Sequence, residues 1–409
     1  MRKISLLSAL LMLFGLTTTA QEYISVGEVL VPQGRQSMLE VRFHFDKGHD
    51  YVSYQFKVKL PEGISLVTDD DGYVPVVLGD GQPSARWSKD MPASSSIMKA
   101  YSSPSTVITA DDGVLVCIPI QADGDKVSAG DELEGSLVDV EFTHNEGAVR
   151  NPFSDVTFTI KVTDKIILDE NYTWVPFATG DNKCDLLVKR TIKAGEWSTV
   201  CFPFAMSADK LKAAFGDDYV LEEFTGYDVE EDADDKVTGL TLKFTKNTKA
   251  AKINTPYIIK VSHDVSEFEV NAVVNPGNAQ KSIVVEDDDT GEEVEVASMT
   301  GTYVAGTVVP ENSLFLSENK FYYSSGKTKM KGFRAYFTLK DVLADVSQSG
   351  ARIFLSVGDE TTEIHPVQMG TDDDGWYTLS GLKLDKKPAA TGVYIHRGEK
   401  VVINEDGRK

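Results

Sequence analysis

The stretch Leu39-Glu-Val-Arg-Phe-His-Phe-Asp46, followed across Lys47-Gly48 by Val52-Ser-Tyr-Gln-Phe-Lys-Val-Lys-Leu60, alternates apolar and polar residues. In an extended chain Leu39, Val41, Phe43 and Phe45 share one face, and Glu40, Arg42, His44 and Asp46 share the other. Val52, Tyr54, Phe56, Val58 and Leu60 repeat the pattern against Ser53, Gln55, Lys57 and Lys59. Successive side chains of a strand point to opposite faces, so a period of two means one buried and one solvated face. A two-sheet antiparallel sandwich requires that arrangement. The runs 114–120, 133–142 and 156–162 continue it. Between them stand turn residues: Asp46-Lys-Gly48, Pro61-Glu-Gly63, Asp111-Asp-Gly113 and Asp123-Gly124. Residues 21–165 therefore read as one all-β domain.

With 409 residues, two or three domains are expected at roughly 150 residues each. Residues 166–182, with Asn171-Tyr-Thr-Trp174, interrupt the alternation and read as a linker and the edge of a second domain. Strand-like runs return over 183–365, broken by two short helices. Ser207 is placed to cap the first, with Leu211, Ala214 and Phe215 on one face and Gly216 at its end. The second is expected over about 340–347, with Val342, Leu343 and Val346 apolar. Residues 371–409 read as a small C-terminal module. There the runs 393–395 and 400–403 face each other across His396-Arg397-Gly398-Glu399 as a hairpin.

Residues 1–20 read as a secretory signal peptide. Arg2 and Lys3 form its positive end, 6–16 its apolar segment, and Thr18-Thr-Ala20 its small-residue cleavage site. That apolar segment is too short to span a bilayer, and no later run approaches about 18 apolar residues, so no transmembrane segment is expected in the mature chain. An exported protein follows, in the periplasm, on the outer cell surface or outside the cell. The formal net charge of −22 repels phosphate backbones and anionic lipid heads, which sets nucleic-acid and membrane-surface partners aside. Three cysteines, Cys117, Cys184 and Cys201, are too few for a disulfide framework. Pairing of Cys184 with Cys201 stays open beside buried free thiols.

Four segments of the first domain resemble the cohesin-like β-sandwich, related in fold to some carbohydrate-binding modules: Ile24-Ser-Val-Gly27, Leu39-Glu-Val-Arg-Phe43, Val52-Ser-Tyr-Gln-Phe-Lys-Val-Lys-Leu-Pro-Glu-Gly63 and Gly113-Val-Leu-Val116. The middle domain is similar to a β-rich module frequent in uncharacterised exported proteins of Bacteroidetes. It shares Gly195-Glu-Trp-Ser-Thr-Val-Cys-Phe-Pro-Phe204, Ala214-Phe-Gly216, Thr255-Pro-Tyr-Ile-Ile-Lys260 and Gly332-Phe-Arg-Ala-Tyr-Phe337. The tail, with Trp376-Tyr-Thr-Leu-Ser-Gly381, Gly392-Val-Tyr-Ile395 and Lys400-Val-Val-Ile403, resembles the sorting tails of type IX secretion.

No Gly-x-Ser-x-Gly elbow, His-Glu-x-x-His helix, phosphate loop or dinucleotide fingerprint occurs in the sequence. His44, Asp46, His49 and Asp50 cluster around one turn, but their spacing meets no zinc rule and a solvated turn is the expectation. The acidic runs Asp69-Asp-Asp-Gly72, 230–235, 286–289 and Asp372-Asp-Asp-Gly375 lack the calcium-loop spacing, so the dockerin repeat that partners cohesins is absent. No cofactor is expected, with adventitious calcium at an acidic turn as the one exception the oxygen count allows. Trp87, Trp174, Trp197 and Trp376 are the candidates for stacking on a sugar ring. Trp87, beside Arg86, Lys89 and Asp90, has the most polar surroundings. Cohesin-like sandwiches dock partners on an exposed sheet face, and the resemblance points to Arg42, His44, Gln55 and Lys57 as such a row. The expectation is a non-catalytic binding or adhesion protein with an extracellular protein or polysaccharide partner. The alternative is a carbohydrate-active enzyme or its accessory module, using a pair of carboxylates.

Overall fold

Alternation turns into strands wherever one face of the chain packs on a core. The computed structural model describes residues 22–403, apart from 104, 146–148, 235, 246–247, 287–290, 341, 344–351, 358–359, 365–366, 369–375, 379–382, 385–387, 389–391 and 397–398. The signal-like segment and much of the second expected helix lie outside the described residues. The described chain is almost wholly β, and it divides after Val162 into two compact units.

The first unit is a sandwich of two antiparallel sheets. Its strands are β1 (Tyr23–Val26), β2 (Val29–Pro32), β3 (Gln36–His44), β4 (Tyr51–Lys59), β5 (Ile64–Leu66), β6 (Val77–Leu78), β7 (Trp87–Asp90), β8 (Ile97–Ser102), β9 (Asp112–Ala122), β10 (Glu132–His144), β11 (Arg150–Pro152) and β12 (Val156–Thr163). One sheet runs β1-β3-β9-β5, with β6 also on β9. The other runs β2-β12-β10-β4-β8-β7, with β11 on β10. Leu39, Val41, Phe43 and Phe45 from the first sheet and Tyr54, Phe56, Val58, Leu137 and Phe142 from the second share one buried core. Phe45 and Phe142 meet edge to face at 5.1 Å, and Phe142 lies 4.7 Å from Phe153. Gly135 on β10 faces Phe158 on β12, and a Cβ there would stand 2.5 Å from that ring, so the position requires glycine. β9 departs from alternation and is buried throughout 114–120. A register shift pairs Val41 with Val116 and Arg42 with Val114, which leaves Leu115 unpaired in the ladder.

The second unit packs several smaller sheets. Cys184–Ile192 lies between Ile166–Asp169, which is parallel to it, and Val265–Ala272, which is antiparallel. A six-stranded sheet contains Ser198–Cys201, Pro256–Lys260, Val220–Glu231, Val237–Phe244, Arg352–Val357 and Glu360–Ile364 in that order. A second six-stranded sheet is built around Glu293–Thr302 and Arg334–Leu339. The stretch that reads as linker and edge thus contributes Ile166–Asp169 as an edge strand, and Glu170 after it is buried. Helix α1 (Ala208–Phe215) buries Leu211, Ala214 and Phe215 as its spacing implies. Ser207 occupies the N-cap, but its side chain makes no capping bond there, and only its carbonyl accepts from Leu211 N–H. The tail strands Gly392–His396 and Glu399–Ile403 pair as a hairpin, and Trp376–Thr378 and Lys383–Leu384 extend that sheet.

Arg190 shows what this unit holds inside. It sits at an inward position of Cys184–Ile192, fully buried, and donates to the carbonyls of Phe333 and Thr199. Glu170, 4% exposed at its side chain, faces it at 3.4 Å and also meets Arg334 at 2.9 Å and Lys331 at 3.3 Å. Burial, with Arg334 nearby, pushes the Arg190 guanidinium down to about 9 despite Glu170. Cys117, Cys184 and Cys201 are all buried free thiols, so Cys184 and Cys201 do not pair.

Candidate functional site

The four polar residues expected to form one row are split between two faces. β3 and β4 are consecutive strands, but the 45–50 connection carries the chain from one sheet to the other. Both strands turn their apolar residues into the same core, so their polar residues leave it in opposite directions. Gln55 and Lys57 stand on the outer face of β10-β4-β8, and Arg42 and His44 stand on the outer face of β1-β3-β9.

On the Arg42 face the charges are used locally. The Arg42 guanidinium pairs with Glu40. His44 Nδ1 lies 2.5 Å from Asp112 Oδ1, and its ring stacks on Tyr23 at 5.5 Å. The hydrogen bond to Asp112 holds the His44 imidazole above its ordinary pKa. The His49 side chain is buried, with Nε2 3.1 Å from the Ala110 carbonyl, and Asp50 pairs with His144. His44, His49 and Asp50 therefore find separate partners, and Asp46 contributes its backbone N–H, which donates to Glu22. Among the described residues no group of three His, Cys, Asp or Glu side chains is placed to hold a metal. The acidic turns satisfy their own backbone in the same way. Asp69 accepts from Asp71 and Tyr73 N–H, and Asp232 accepts from Asp234 and Lys236 N–H. The acidic residues 287–289 and 372–374 lie outside the described residues.

Trp87 is not a surface platform. It is 5% exposed, sits in the sandwich core and lies 6.3 Å from Tyr54. β7 reads Trp-Ser-Lys-Asp, and pairing with β8 turns its one large apolar residue inward while the polar ones stay out. Among the described residues its Nε1 has no hydrogen-bond partner. Trp197 and Trp376 are buried too. Trp174 alone is part-exposed, stacked on Tyr172 at 4.8 Å.

The outer face of β10-β4-β8 is different. A shallow depression of about 210 Å³ is lined by residues of β4, β8, β10 and β11. Register places Gln55 between Lys99 on β8 and Glu141 on β10, and Ser53 between Tyr101 and Thr143. Gln55 Nε2 donates to Glu141 Oε2 at 3.0 Å, and Arg150 Nη1 donates to the same oxygen at 3.2 Å. Tyr101 stands 51% exposed at the rim. Among the described residues neither Lys57 nor Lys99 forms an ion pair. Sequence reasoning found Gln55 and Lys57 but missed Lys99, Tyr101, Glu141 and Arg150. Unbroken alternation from Leu133 and Leu137 would turn 141 inward, but a register shift between Val138 and Glu141 changes the phase and brings Glu141 opposite Gln55 on the outer face.

No protein-family model matches this chain, and no curated protein matches it. Solved structures similar to it are cohesin modules. The third cohesin of ScaC from Acetivibrio cellulolyticus, solved with the ScaB dockerin, is 11% identical, and the match covers 35% of this chain and 99% of that one at a TM-score of 0.28. A non-cellulosomal cohesin from the archaeon Archaeoglobus fulgidus is 15% identical, with 34% and 91% covered and a TM-score of 0.26. A cohesin module of a Clostridium perfringens family 33 glycoside hydrolase is 9% identical, with 35% and 96% covered and a TM-score of 0.26. The likeness is one of architecture over about a third of the chain. Among the described residues no helix is long and apolar enough to cross a membrane.

Proposed function

We propose that the chain is an exported, non-catalytic binding or adhesion protein whose first unit docks an extracellular protein on the outer face of β10-β4-β8. The observation that carries this reading is the depression itself, where the exposed Tyr101 stands among Lys99, Gln55, Glu141 and Arg150. Interfaces favour Tyr and Arg anchors, with polar groups of both signs fixing register. Lys57 and Lys99 keep charge to spend on a partner, in contrast to Arg42. The signal-like residues 1–20 support export. The tail hairpin, as part of residues 371–409, is a candidate sorting or attachment element.

One observation favours the enzyme alternative: a larger cleft in the same unit is lined by Glu22, Asp46 and Asp155. A glycosidase needs two carboxylates some 5–10 Å apart across the scissile bond. A polysaccharide turnover screen beside a glycan array separates the readings. Neither turnover nor glycan binding is expected from the first unit's face. Turnover that is lost in Glu22→Gln, Asp46→Asn or Asp155→Asn would establish the enzyme and refute the non-catalytic reading.

A further inference from the structure

That larger cleft has a volume of about 750 Å³ and runs between residues 22–24 on one side and 151–156 on the other, with Asp46 beside them. The β1 strand is the end of its sheet. It pairs with β3 from Tyr23↔His44 to Val26↔Val41, and no other described strand joins it. An end strand keeps one row of N–H and C=O groups unspent, which is a template for one more strand. Natural proteins blunt such edges with Lys, Pro, a bulge or shortness, and the four-residue Tyr-Ile-Ser-Val has only the last of these.

The walls of the cleft define what would fit. Phe153 and Val156 pack against the sandwich core and offer apolar surface beside Ile24. Glu22, Asp46 and Asp155 supply three carboxylates, and the lining includes no Lys or Arg. Glu22 is held in place: it accepts from the Tyr51 hydroxyl at 2.5 Å and from Asp46 N–H at 3.0 Å, and Asn151 Nδ2 donates to the same hydroxyl at 2.7 Å. Asp155 is fixed by Asp139 N–H at 3.2 Å. None of the three forms an ion pair among the described residues.

We infer that the β1 edge and its cleft dock an extended cationic segment of a partner protein as an added strand. Its alternate apolar side chains would face Phe153 and Val156, and its alternate Lys or Arg would meet Glu22, Asp46 and Asp155. This surface is independent of the β10-β4-β8 face, so either reading survives failure of the other.

The test titrates the full chain with a short alternating Lys-Val peptide, its Glu-Val counterpart, and the Lys-Val peptide N-methylated at alternate residues. Affinity is read by calorimetry and amide protection by hydrogen exchange. The Lys-Val peptide should bind with protection concentrated at 23–26. The Glu-Val and N-methylated peptides should bind at least about tenfold more weakly, because one lacks the charge and the other the backbone donors. The double change Asp46→Asn with Asp155→Asn should weaken the Lys-Val peptide while leaving the melting curve in place. Equal binding of the N-methylated peptide would mean charge attraction alone and overturn the inference. So would absence of binding, or protection located elsewhere.

Discussion

The two outer faces of the first sandwich descend from neighbouring, similarly alternating strands, and they differ in how their charges are spent. On the β1-β3-β9 face Arg42 answers to Glu40 and His44 to Asp112. On the β10-β4-β8 face Lys57 and Lys99 stand beside a depression with an exposed tyrosine. A polar sheet face is ordinary surface when its charges close on one another. The β10-β4-β8 face closes Arg150 on Glu141 too, but it leaves Lys57 and Lys99 outside any ion pair among the described residues, and that makes it the interaction candidate.

Both faces rest on one core, so damage to that core should blur the distinction most. Phe142→Ala on β10 removes a fully buried ring in contact with Phe45, Tyr51 and Phe153. The expected loss is about 3–5 kcal/mol in denaturant unfolding of the first unit. A loss under about 1 kcal/mol would show that the core does not carry the sandwich.

Reversing charge separates the faces without touching the core. Lys57→Glu with Lys99→Glu should weaken capture of an extracellular protein partner by about tenfold or more, while Arg42→Glu leaves it unchanged. Neither should move the melting temperature appreciably, since exposed charges contribute little to stability. Equal losses from both changes would erase the distinction between the faces.

Trp87→Phe tests whether the core or a sugar uses that ring. It removes the unpartnered Nε1 but leaves a cavity where the larger indole stood, so a loss of about 1–3 kcal/mol and no change in glycan-array signal are expected. Glycan binding that disappears in this variant would return Trp87 to the surface role.

The smallest effect concerns His44. Its raised pKa means that the protonated ring favours the fold. That contribution is complete below the ordinary value of 6.5 and is lost as pH rises through the raised value. Asp112→Asn should move the His44 titration downward in an NMR pH series. An unmoved titration would show that the Asp112 hydrogen bond is not its cause.

Much of the fold is legible in the sequence because period two reports burial strand by strand. It marks β3, β4, β10 and β12, but it gives a side of a strand and says nothing of which sheet the strand joins. Arg42 and Lys57 were therefore read as neighbours. The short strands β6, β7 and β11 carry too few residues to show a period, which hid the inward turn of Trp87 and the arrival of Arg150 beside Glu141. In the second unit, Arg190 occupies the inward row of Leu186, Val188 and Ile192, a position that charge alone assigns to solvent. Its pairing with Glu170, from the stretch that reads as linker and edge, together with its bonds to the Phe333 and Thr199 carbonyls, makes that burial tolerable.

The central claim is most directly tested by photo-crosslinking in cells that export the full chain, with p-benzoyl-phenylalanine in place of Tyr101 or, separately, of Arg42. The account predicts a discrete protein adduct from position 101 that fades when Lys57→Glu and Lys99→Glu are added, and none from position 42. Adducts from 42 alone, equal adducts from both positions, or none from 101 would contradict it.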